Sequence, residues 1–214
     1  METQIILKTK GITKIFPGVR ALNKVDFSLL EGEIRALVGE NGAGKTTLVK
    51  ILSGAYQPDE GEIFLREKKV TIPDPHQAKS MGISVVYQEL NLIPYMSVAR
   101  NIMLGKEPHT LVGFVDYKKL ANQAKKLMEA LDLSLDADSL VYELPVAQQQ
   151  LVAIVRALAA EPDILILDEP TASLSEQEVQ HLFKVVKNLK KREVSIIFIS
   201  HRLEEVFQIA DYVT

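Results

Sequence analysis

The residues best suited to chemistry form one glycine-rich segment, Gly39-Glu40-Asn41-Gly42-Ala43-Gly44-Lys45-Thr46. This segment matches the phosphate-loop pattern at every fixed position. Glycines let main-chain N–H groups wrap a phosphate, and the N-terminus of a helix beside them adds a favourable dipole. Lys45 can then reach the β and γ phosphates, while the Thr46 hydroxyl can bind Mg²⁺. The segment therefore predicts a nucleoside triphosphate held with magnesium; the alternative is a glycine-rich turn without a ligand.

A second candidate is the acidic pair Asp168 and Glu169, which ends an apolar run at residues 164–167. Open α/β sheets bind their ligands at the carboxyl ends of their strands, which is where this pair would lie. Asp168 is then suited to hold Mg²⁺ through its water shell. Glu169 can accept a proton from the water that attacks a γ-phosphate, or orient that water. The alternative is an acidic strand end that only caps the next helix.

These motifs need strands to position them, and the sequence has an interrupted α/β pattern. Residues 5–38 are rich in strand formers, including a short strand at residues 34–38 directly before the glycine-rich segment, and a hairpin is expected near residues 61–70. Apolar, β-branched runs at residues 83–87, 164–167 and 195–200 are typical of parallel strands covered on both faces. A central parallel sheet with a β-rich N-terminal part follows.

Helical patterns complete the expected architecture. Residues 116–131 keep one apolar face, at Leu120, Ala124, Leu127, Met128 and Leu131, and residues 175–191 carry a similar stripe that we interpret as core packing. The helical stretch falls between two strands of the sheet, so it is an insertion. The expected domains are residues 1–88 with 159–214 as the core, and residues 89–158 as a helical subdomain.

Composition narrows the class of protein. The chain is 47% hydrophobic and 25% charged, as in soluble globular proteins, and residues 1–4 carry no basic region leading into a signal sequence. These features predict a cytoplasmic location. Cysteine is absent, which excludes disulfides and thiolate metal sites, and the four histidines show no metal-ligand spacing. A net charge of −3 gives no overall attraction to nucleic acid, so no nucleic-acid partner is expected.

The order of these motifs resembles that of the ATP-binding cassette (ABC) ATPases, the motor domains of ABC transporters. Besides the two phosphate motifs, Gln88 follows the strand at residues 83–87 as the family's glutamine loop does. His201 ends a later strand as the family's histidine switch does, and Asp168-Glu169-Pro170-Thr171 is similar to the run after the magnesium aspartate. The resemblance implies a RecA-like P-loop NTPase core, with an N-terminal antiparallel β subdomain and an inserted α-helical subdomain.

The resemblance also implies roles for single residues. Gln88 would contact Mg²⁺ or the attacking water, and His201 would hydrogen-bond the γ-phosphate and help to place Glu169. Phe16 lies where the family has an aromatic that stacks on adenine, although it could equally be a hydrophobic plug beside Pro17. The residues expected to bind the nucleotide are Gly39, Glu40, Asn41, Gly42, Ala43, Gly44, Lys45, Thr46, Thr47 and Phe16. Those expected to hold magnesium are Thr46, Gln88 and Asp168.

The family's signature segment departs from its usual form here. Most members have Leu-Ser-Gly-Gly-Gln at the start of a helix, and this chain has Leu144-Pro145-Val146-Ala147-Gln148. In the family this segment closes over the γ-phosphate held by the opposite ATPase unit. Pro145 has neither a hydroxyl nor an N–H, and Val146 and Ala147 add side chains where a backbone must approach phosphate. The ATP site completed by this signature is therefore expected to hydrolyse slowly.

Finer features resemble a narrower group. The run Ala147-Gln148-Gln149-Gln150 and residues 171–175 are similar to the N-terminal half of the double ATPases that drive bacterial monosaccharide importers of the ribose, galactose and xylose type. That similarity implies import of a monosaccharide through a permease, and a chain truncated before a second cassette. A second cassette, in the same polypeptide or in a dimer, is an expected partner because each competent site faces another cassette head to tail.

The segment at residues 89–96 is unusually apolar for a loop, with Leu90 and Met96 near its ends. It follows Gln88 directly, so it is expected to contact the membrane permease. The alternative is that its leucines are buried within the helical insertion. Two other functions compete with transport: a cassette that remodels a soluble assembly, which lacks the basic extensions expected of it, and a cassette that binds ATP without hydrolysis, which has no need of Glu169.

Overall fold

The fold was analysed in a computed structural model, which describes residues 4–214. Residues 1–3 lie outside the described residues. They make up most of residues 1–4, where the sequence shows no basic region of a signal sequence. Residues 4–214 contain nine strands: β1 (Ile5–Phe16), β2 (Val19–Leu30), β3 (Ile34–Leu37), β4 (Glu60–Leu65), β5 (Lys68–Val70), β6 (Ile83–Val86), β7 (Ile164–Asp168), β8 (Ser195–Ile199) and β9 (Tyr212–Val213).

The same residues contain seven α-helices: α1 (Lys45–Leu52), α2 (Pro75–Ser80), α3 (Val98–Ile102), α4 (Tyr117–Glu129), α5 (Val146–Leu158), α6 (Glu176–Lys191) and α7 (Leu203–Ile209). A short 3₁₀ helix, Val141–Glu143, precedes α5. Within residues 4–214, no helix has the length and apolar character required to cross a membrane.

The smaller sheet is antiparallel, with strand order β2-β1-β4-β5. Its first two strands pair through polar as well as apolar residues, from Ile5 opposite Leu30 to Phe16 opposite Val19. A tight turn joins them, and Gly18 there has a φ of 80°, in the left-handed region that favours glycine. This sheet is the expected antiparallel β part of the core.

The larger sheet has strand order β6-β7-β8-β3-β9, and every pair that it contains is parallel. Its residues alternate between two hydrophobic cores: Leu165 and Leu167 of β7 face one core, while Ile164 and Ile166 face the other. A parallel sheet with both faces covered explains why these strands read as continuous apolar runs. The α/β fold class is confirmed.

Three helices, α3, α4 and α5, lie between β6 and β7 and pack on one side of this sheet. In α4 the buried residues Leu120, Ala124 and Met128 recur every four residues, which places them on one helix face. The Asp116 side chain caps α4 by accepting a hydrogen bond from the Lys119 N–H at 3.0 Å. The insertion therefore shares its core with the parallel sheet.

The register of the parallel strands determines what can meet at their carboxyl ends. Leu37, the last residue of β3, pairs with Ile199 of β8, and Ile199 pairs with Asp168 of β7. On the far side of β7, Val86 of β6 pairs with Leu167. The residues that follow all four strands therefore emerge side by side at one edge of the sheet.

Candidate functional site

The glycine-rich segment connects β3 to α1 at this edge. Gly42 and Gly44 have φ values of 87° and 93°, where a side chain is disfavoured. An ideal Cβ on Gly44 would lie 2.6 Å from the Ala21 carbonyl oxygen of β2 and 2.7 Å from Leu22. Glycine at position 44 therefore lets the loop approach the antiparallel sheet while turning into a helix.

Lys45 is the first residue of α1 and is 9% exposed. Its ammonium turns back over the loop, where it donates to the Gly39 carbonyl at 2.6 Å and to the Glu40 carbonyl at 3.0 Å. Thr46 is exposed and Thr47 is half-buried in the first turn of the same helix. A cation, a hydroxyl and a helix N-terminus are thus collected around one short loop, which suits an anionic phosphate ligand.

The acidic pair lies at the end of β7, two strands away from β3. Asp168 is 6% exposed. Burial raises the pKa of Asp168 above its usual range, and the negative charge of Glu169 raises it further, whereas the Lys45 and Lys50 ammonium groups act in the opposite direction. The strand register places the phosphate loop and Asp168 at the same edge of the sheet.

Glu169 and His201 are in contact, with the His201 Nδ1 atom 3.3 Å from the Glu169 Oε1 atom. The Glu169 N–H donates to the Ile199 carbonyl at 3.1 Å, so the two segments are also joined through the main chain. Glu169 has a φ of 46°, a left-handed conformation that is unfavourable for a residue with a side chain. The fold holds this carboxylate in a strained position beside an imidazole.

Gln88 and Phe16 have less constrained surroundings. Gln88 is exposed, one residue beyond Tyr87, whose hydroxyl donates to the Ser53 Oγ atom at 2.9 Å. Phe16 is half-buried at the end of β1, and its ring makes an edge contact with Tyr56 at a centroid distance of 5.5 Å. The Lys14 Nζ atom lies 5.7 Å from the Phe16 centroid. Phe16 thus belongs to an aromatic pair with a nearby cation, and both interpretations of Phe16 remain predictions.

The signature segment starts α5 in the helical insertion. Pro145 is the N-cap, with relaxed angles of φ −55° and ψ 151°, and Val146 is the first helical residue with 51% of its surface exposed. Gln149 binds back to the Leu144 carbonyl at 2.9 Å. Within residues 4–214, no hydrogen bond joins residues 144–148 to residues 39–46. The structure brings the loop, the acidic pair and His201 together, and leaves the signature segment apart from them.

Sequence reasoning missed one polar group next to the site. Glu205 of α7 is buried, and its carboxylate binds Thr171 and Ser200, which lie beside Glu169 and His201. The sequence contained one indication that Glu205 is buried. It is four residues before Ile209, so both side chains lie on the apolar face of the short helix α7.

The chain matches the family model described as ABC transporter over residues 22–172. It is 50% identical, over its entire length, to a putative ribose/galactose/methyl galactoside import ATP-binding protein of Agrobacterium fabrum, and 48% identical to the galactofuranose transporter ATP-binding protein of Escherichia coli K12. The chain covers 42% of each of these relatives, so it spans about two fifths of their length.

Solved structures agree with these relatives. A nucleotide-free ATP-binding cassette from an ABC transporter matches 98% of this chain with a TM-score of 0.85 and 29% identity, and 87% of that cassette is covered. A dimeric cassette in a post-hydrolysis state, bound to ADP and phosphate, matches 96% of this chain with a TM-score of 0.80 and 26% identity, and 93% of it is covered.

Proposed function

This chain belongs to the ABC transporter family, and on that basis we propose that it binds and hydrolyses ATP to energise import of a monosaccharide through a partner membrane permease. The observation that carries the proposal is the meeting of four groups at one sheet edge: the phosphate loop with Lys45, the buried Asp168, and the pair of Glu169 and His201. Open α/β folds bind ligands at this edge.

ATP binding follows from the loop. Its N–H groups and the start of α1 attract the phosphates, and Lys45 exchanges its two carbonyl partners for β and γ phosphate oxygens. Bonds between an ammonium and a phosphate are stronger than those between an ammonium and a neutral carbonyl, so the exchange is favourable.

The site also has the donors that suit Mg²⁺. Thr46 supplies an exposed hydroxyl and Asp168 a buried carboxylate, which are hard oxygen ligands. Residues 4–214 contain no cluster of three or more histidine, cysteine or acidic side chains that could cage a metal, and magnesium characteristically uses few protein ligands together with waters and substrate phosphates. When bound, magnesium would neutralise phosphate charge, while Thr46, Asp168 and Gln88 orient it.

Hydrolysis uses the pair at the ends of β7 and β8. The Glu169 carboxylate orients the attacking water and accepts its proton. The Nδ1 atom of His201 faces Glu169, and a second hydrogen bond from Nε2 to the γ-phosphate would require the imidazolium form, in which both ring nitrogens are donors. Both residues directly follow strand ends that pair in register, which brings them to the same edge of the sheet.

Calorimetric titration with MgATP tests the binding step. The wild-type chain should give a saturable heat, and Lys45→Ala should weaken binding by at least about tenfold, or about 1.4 kcal/mol. Lys184→Ala, which removes an exposed lysine from α6, is the matched control and should bind as wild type does. A well-folded wild-type chain without a saturable signal would contradict the proposal.

The sugar and the permease come from the relatives, whose printed names are sugar-import ATP-binding proteins. The chain would then work as a peripheral protein on the cytoplasmic face of a membrane. It pairs with a second cassette, whose phosphate site would meet the signature segment Leu144 to Gln148. Sugar-stimulated ATPase activity of the complete polypeptide with its permease tests this part; an ATPase rate indifferent to sugar and permease would contradict it.

The permease contact is proposed at residues 89–96. Leu90 and Leu92 pack against the helical core, so in the first half of the segment the leucines fit the alternative in which they are buried within the helical insertion. The other half is held by the fully buried Asn101, whose side chain binds the main chain of Ile93, Met96 and Ser97. This anchor presents Tyr95, which is 80% exposed, at the surface.

A groove adjoins the segment and suits an inserted permease helix. It has a volume of about 330 Å³, and Leu90 and Leu104 line it together with Arg156, which donates to the carbonyls of Leu90 and Asn91. A shift of Gln88 with nucleotide state would pass directly into this groove, because Tyr87 and Glu89, the residues on either side of Gln88, both line it.

Charge at Tyr95 tests this contact in the complete transporter. Tyr95→Glu should reduce sugar transport at least tenfold without changing ATP affinity, because an unpaired carboxylate would be buried at the interface. Tyr117→Glu, at another exposed tyrosine of the same insertion, is the control and should transport normally. A loss of ATP affinity, or unchanged transport, would contradict the proposed contact.

A further inference from the structure

A buried polar cluster lies directly behind the Glu169–His201 pair. Its centre is Glu205 of α7, which is 6% exposed, and its hydroxyl members, Thr171 and Ser200, are each 2% exposed. The Glu205 Oε2 atom accepts hydrogen bonds from the Thr171 Oγ1 atom at 2.6 Å and from the Ser200 Oγ atom at 3.0 Å. The Arg202 Nη1 atom donates to Oε1 at 2.7 Å.

The cluster connects the two segments that carry the pair. Thr171 is two residues beyond Glu169 in the loop after β7, and Ser200 directly precedes His201 after β8. One carboxylate oxygen therefore binds both loops at once. The Ser200 Oγ atom also accepts a bond from the Arg202 N–H at 3.0 Å, which fixes the turn around His201.

This connection can set the alignment of the pair, because one side chain binds both loops. Glu169 is in a strained backbone conformation with a φ of 46°, and such conformations persist where their surroundings hold them. The main-chain bond from Glu169 to Ile199 joins the strand ends, and the Ala172 N–H donates to the Glu169 carbonyl at 3.3 Å, but neither of these bonds joins the loop after β7 to Ser200 or His201. Charge-assisted hydrogen bonds in a buried setting are strong and directional, so the Glu205 carboxylate can constrain the two loops relative to each other.

We propose that Glu205 is a positioning residue for ATP hydrolysis, which sets the alignment of Glu169 with His201 by binding Thr171 and Ser200. The proposal rests on the proposed ATPase function. Glu205 does not touch the reacting atoms; it acts through the pair. A displacement of about 1 Å in a catalytic group can cost on the order of 100-fold in rate, so loss of this constraint should be visible in turnover.

Glu205→Gln is the first test, because the amide keeps the shape of the side chain but replaces one acceptor by a donor. We expect kcat to fall about 10- to 100-fold, with the KM for ATP and the Kd for MgATP within twofold of wild type. Glu204→Gln removes a charge from the neighbouring, exposed position of α7 and should leave all three values unchanged. An unchanged kcat, or a fall in kcat matched by a rise in KM, would overturn the proposal.

A double-mutant comparison separates positioning from general stability. In a His201→Ala background the pair is already broken, so Glu205→Gln should add less than about a further twofold loss of kcat. A merely structural role would instead give the same loss in both backgrounds. Thr171→Val and Ser200→Ala each remove one donor from the cluster, and each should reproduce part of the kcat effect even where Glu205→Gln lowers the yield of folded protein.

A readout without ATP keeps this test independent of the proposed function. In the ¹⁵N-histidine-labelled chain, the His201 Nδ1 resonance reports its contact with Glu169, and Glu169→Gln defines the signal of a broken pair. Glu205→Gln should move this resonance toward that reference, whereas Glu204→Gln should not. If the wild-type chain did not hydrolyse ATP, the proposed ATPase function would be contradicted, but the His201 resonance would still test the positioning role of Glu205. A resonance that Glu205→Gln did not move would overturn that role.

Discussion

Two regions of this chain are proposed to contact phosphate, and they differ in the polar groups that they retain. The sheet edge keeps the glycine loop with Lys45, the buried Asp168 and the paired Glu169 and His201. The start of α5 keeps only the helix N-terminus, because Pro145 lacks an N–H and a hydroxyl and Val146 projects into solvent.

The two regions also differ in how much they reduce the stability of the fold, and the sheet edge reduces it more. At the sheet edge Glu169 is strained and Asp168 is a carboxylate buried at 6% exposure, both of which oppose folding. At the start of α5 the backbone is relaxed, with Pro145 at φ −55°. This contrast supports the proposal that hydrolysis takes place at the sheet edge and that the signature segment adds a weaker, electrostatic contribution.

The largest expected effect is at the sheet edge. Glu169→Gln should lower the rate of hydrolysis by about 10²- to 10⁴-fold, the usual contribution of a general base, while MgATP still binds. Single-turnover measurements on the complete assembly check the rate, and calorimetry checks binding. Glu176→Gln, an exposed carboxylate at the start of α6, should behave as wild type. A Glu169→Gln variant that kept its rate would remove the basis for the contrast.

The phosphate loop gives the next effect. Gly44→Ala combines a left-handed backbone with a Cβ that would lie only 2.6 Å from the Ala21 carbonyl oxygen, so it should cost about 2–5 kcal/mol of unfolding free energy and weaken MgATP binding. Gly42→Ala has the same backbone problem, but its Cβ would meet nothing within 4 Å, so it should cost about 1–2 kcal/mol. Urea unfolding measures both values, and equal costs would contradict the packing argument.

A smaller effect is expected at the signature segment. The triple change Pro145→Ser, Val146→Gly and Ala147→Gly restores a hydroxyl and close backbone access. Turnover at the opposite cassette's site should then rise about tenfold, somewhat less than one oxyanion donor is usually worth.

To test this prediction, turnover must be measured at the opposite cassette's ATP site alone. In a complete polypeptide that carries Glu169→Gln, the chain's own site is silent, so the remaining turnover reports the site that this signature completes. Val146→Gly alone, which restores no hydroxyl, is the control and should give a smaller rise. If the triple variant left turnover unchanged, the missing groups would not explain the predicted slow site.

The two regions also differ in how far the sequence predicts them. The glycine loop and the acidic pair are local motifs next to strongly apolar strands, so spacing alone places Lys45 and Asp168 at one sheet edge. The α/β fold follows from the same runs, since a strand with both faces covered, such as β7, has no polar alternation.

Long-range polar contacts are what the sequence leaves undetermined. Thr171 and Glu205 are 34 residues apart, and nothing in either local pattern pairs them. The strained φ of Glu169 is likewise imposed by its neighbours. In residues 89–96, the division between buried leucines and an exposed Tyr95 depends on Asn101, whose side chain forms its bonds only in the folded chain. Hydrophobic periodicity in the sequence predicts apolar faces, whereas these polar contacts are visible only in the folded structure.

The smallest expected effect concerns Asp168 and the cost of keeping it charged. Burial and the adjacent Glu169 raise the pKa of Asp168 above its usual value of 3.8. The folded state therefore holds the proton more tightly than the unfolded chain does, so the ionised carboxylate lowers stability above the folded pKa. That penalty disappears as the pH falls below 3.8, where both states are protonated.

Asp168→Asn removes this charge, so it should raise the Tm near neutral pH even though it impairs magnesium binding. Each kcal/mol of relief corresponds to about 2–4 °C in a domain of this size. The gain should shrink as the pH is lowered, and Asp138→Asn, at an exposed aspartate, should show no comparable gain. A Tm that fell at neutral pH would mean that Asp168 stabilises the fold. The buried carboxylate would then carry no cost to stability, and the contrast with the relaxed start of α5 would rest on the strain at Glu169 alone.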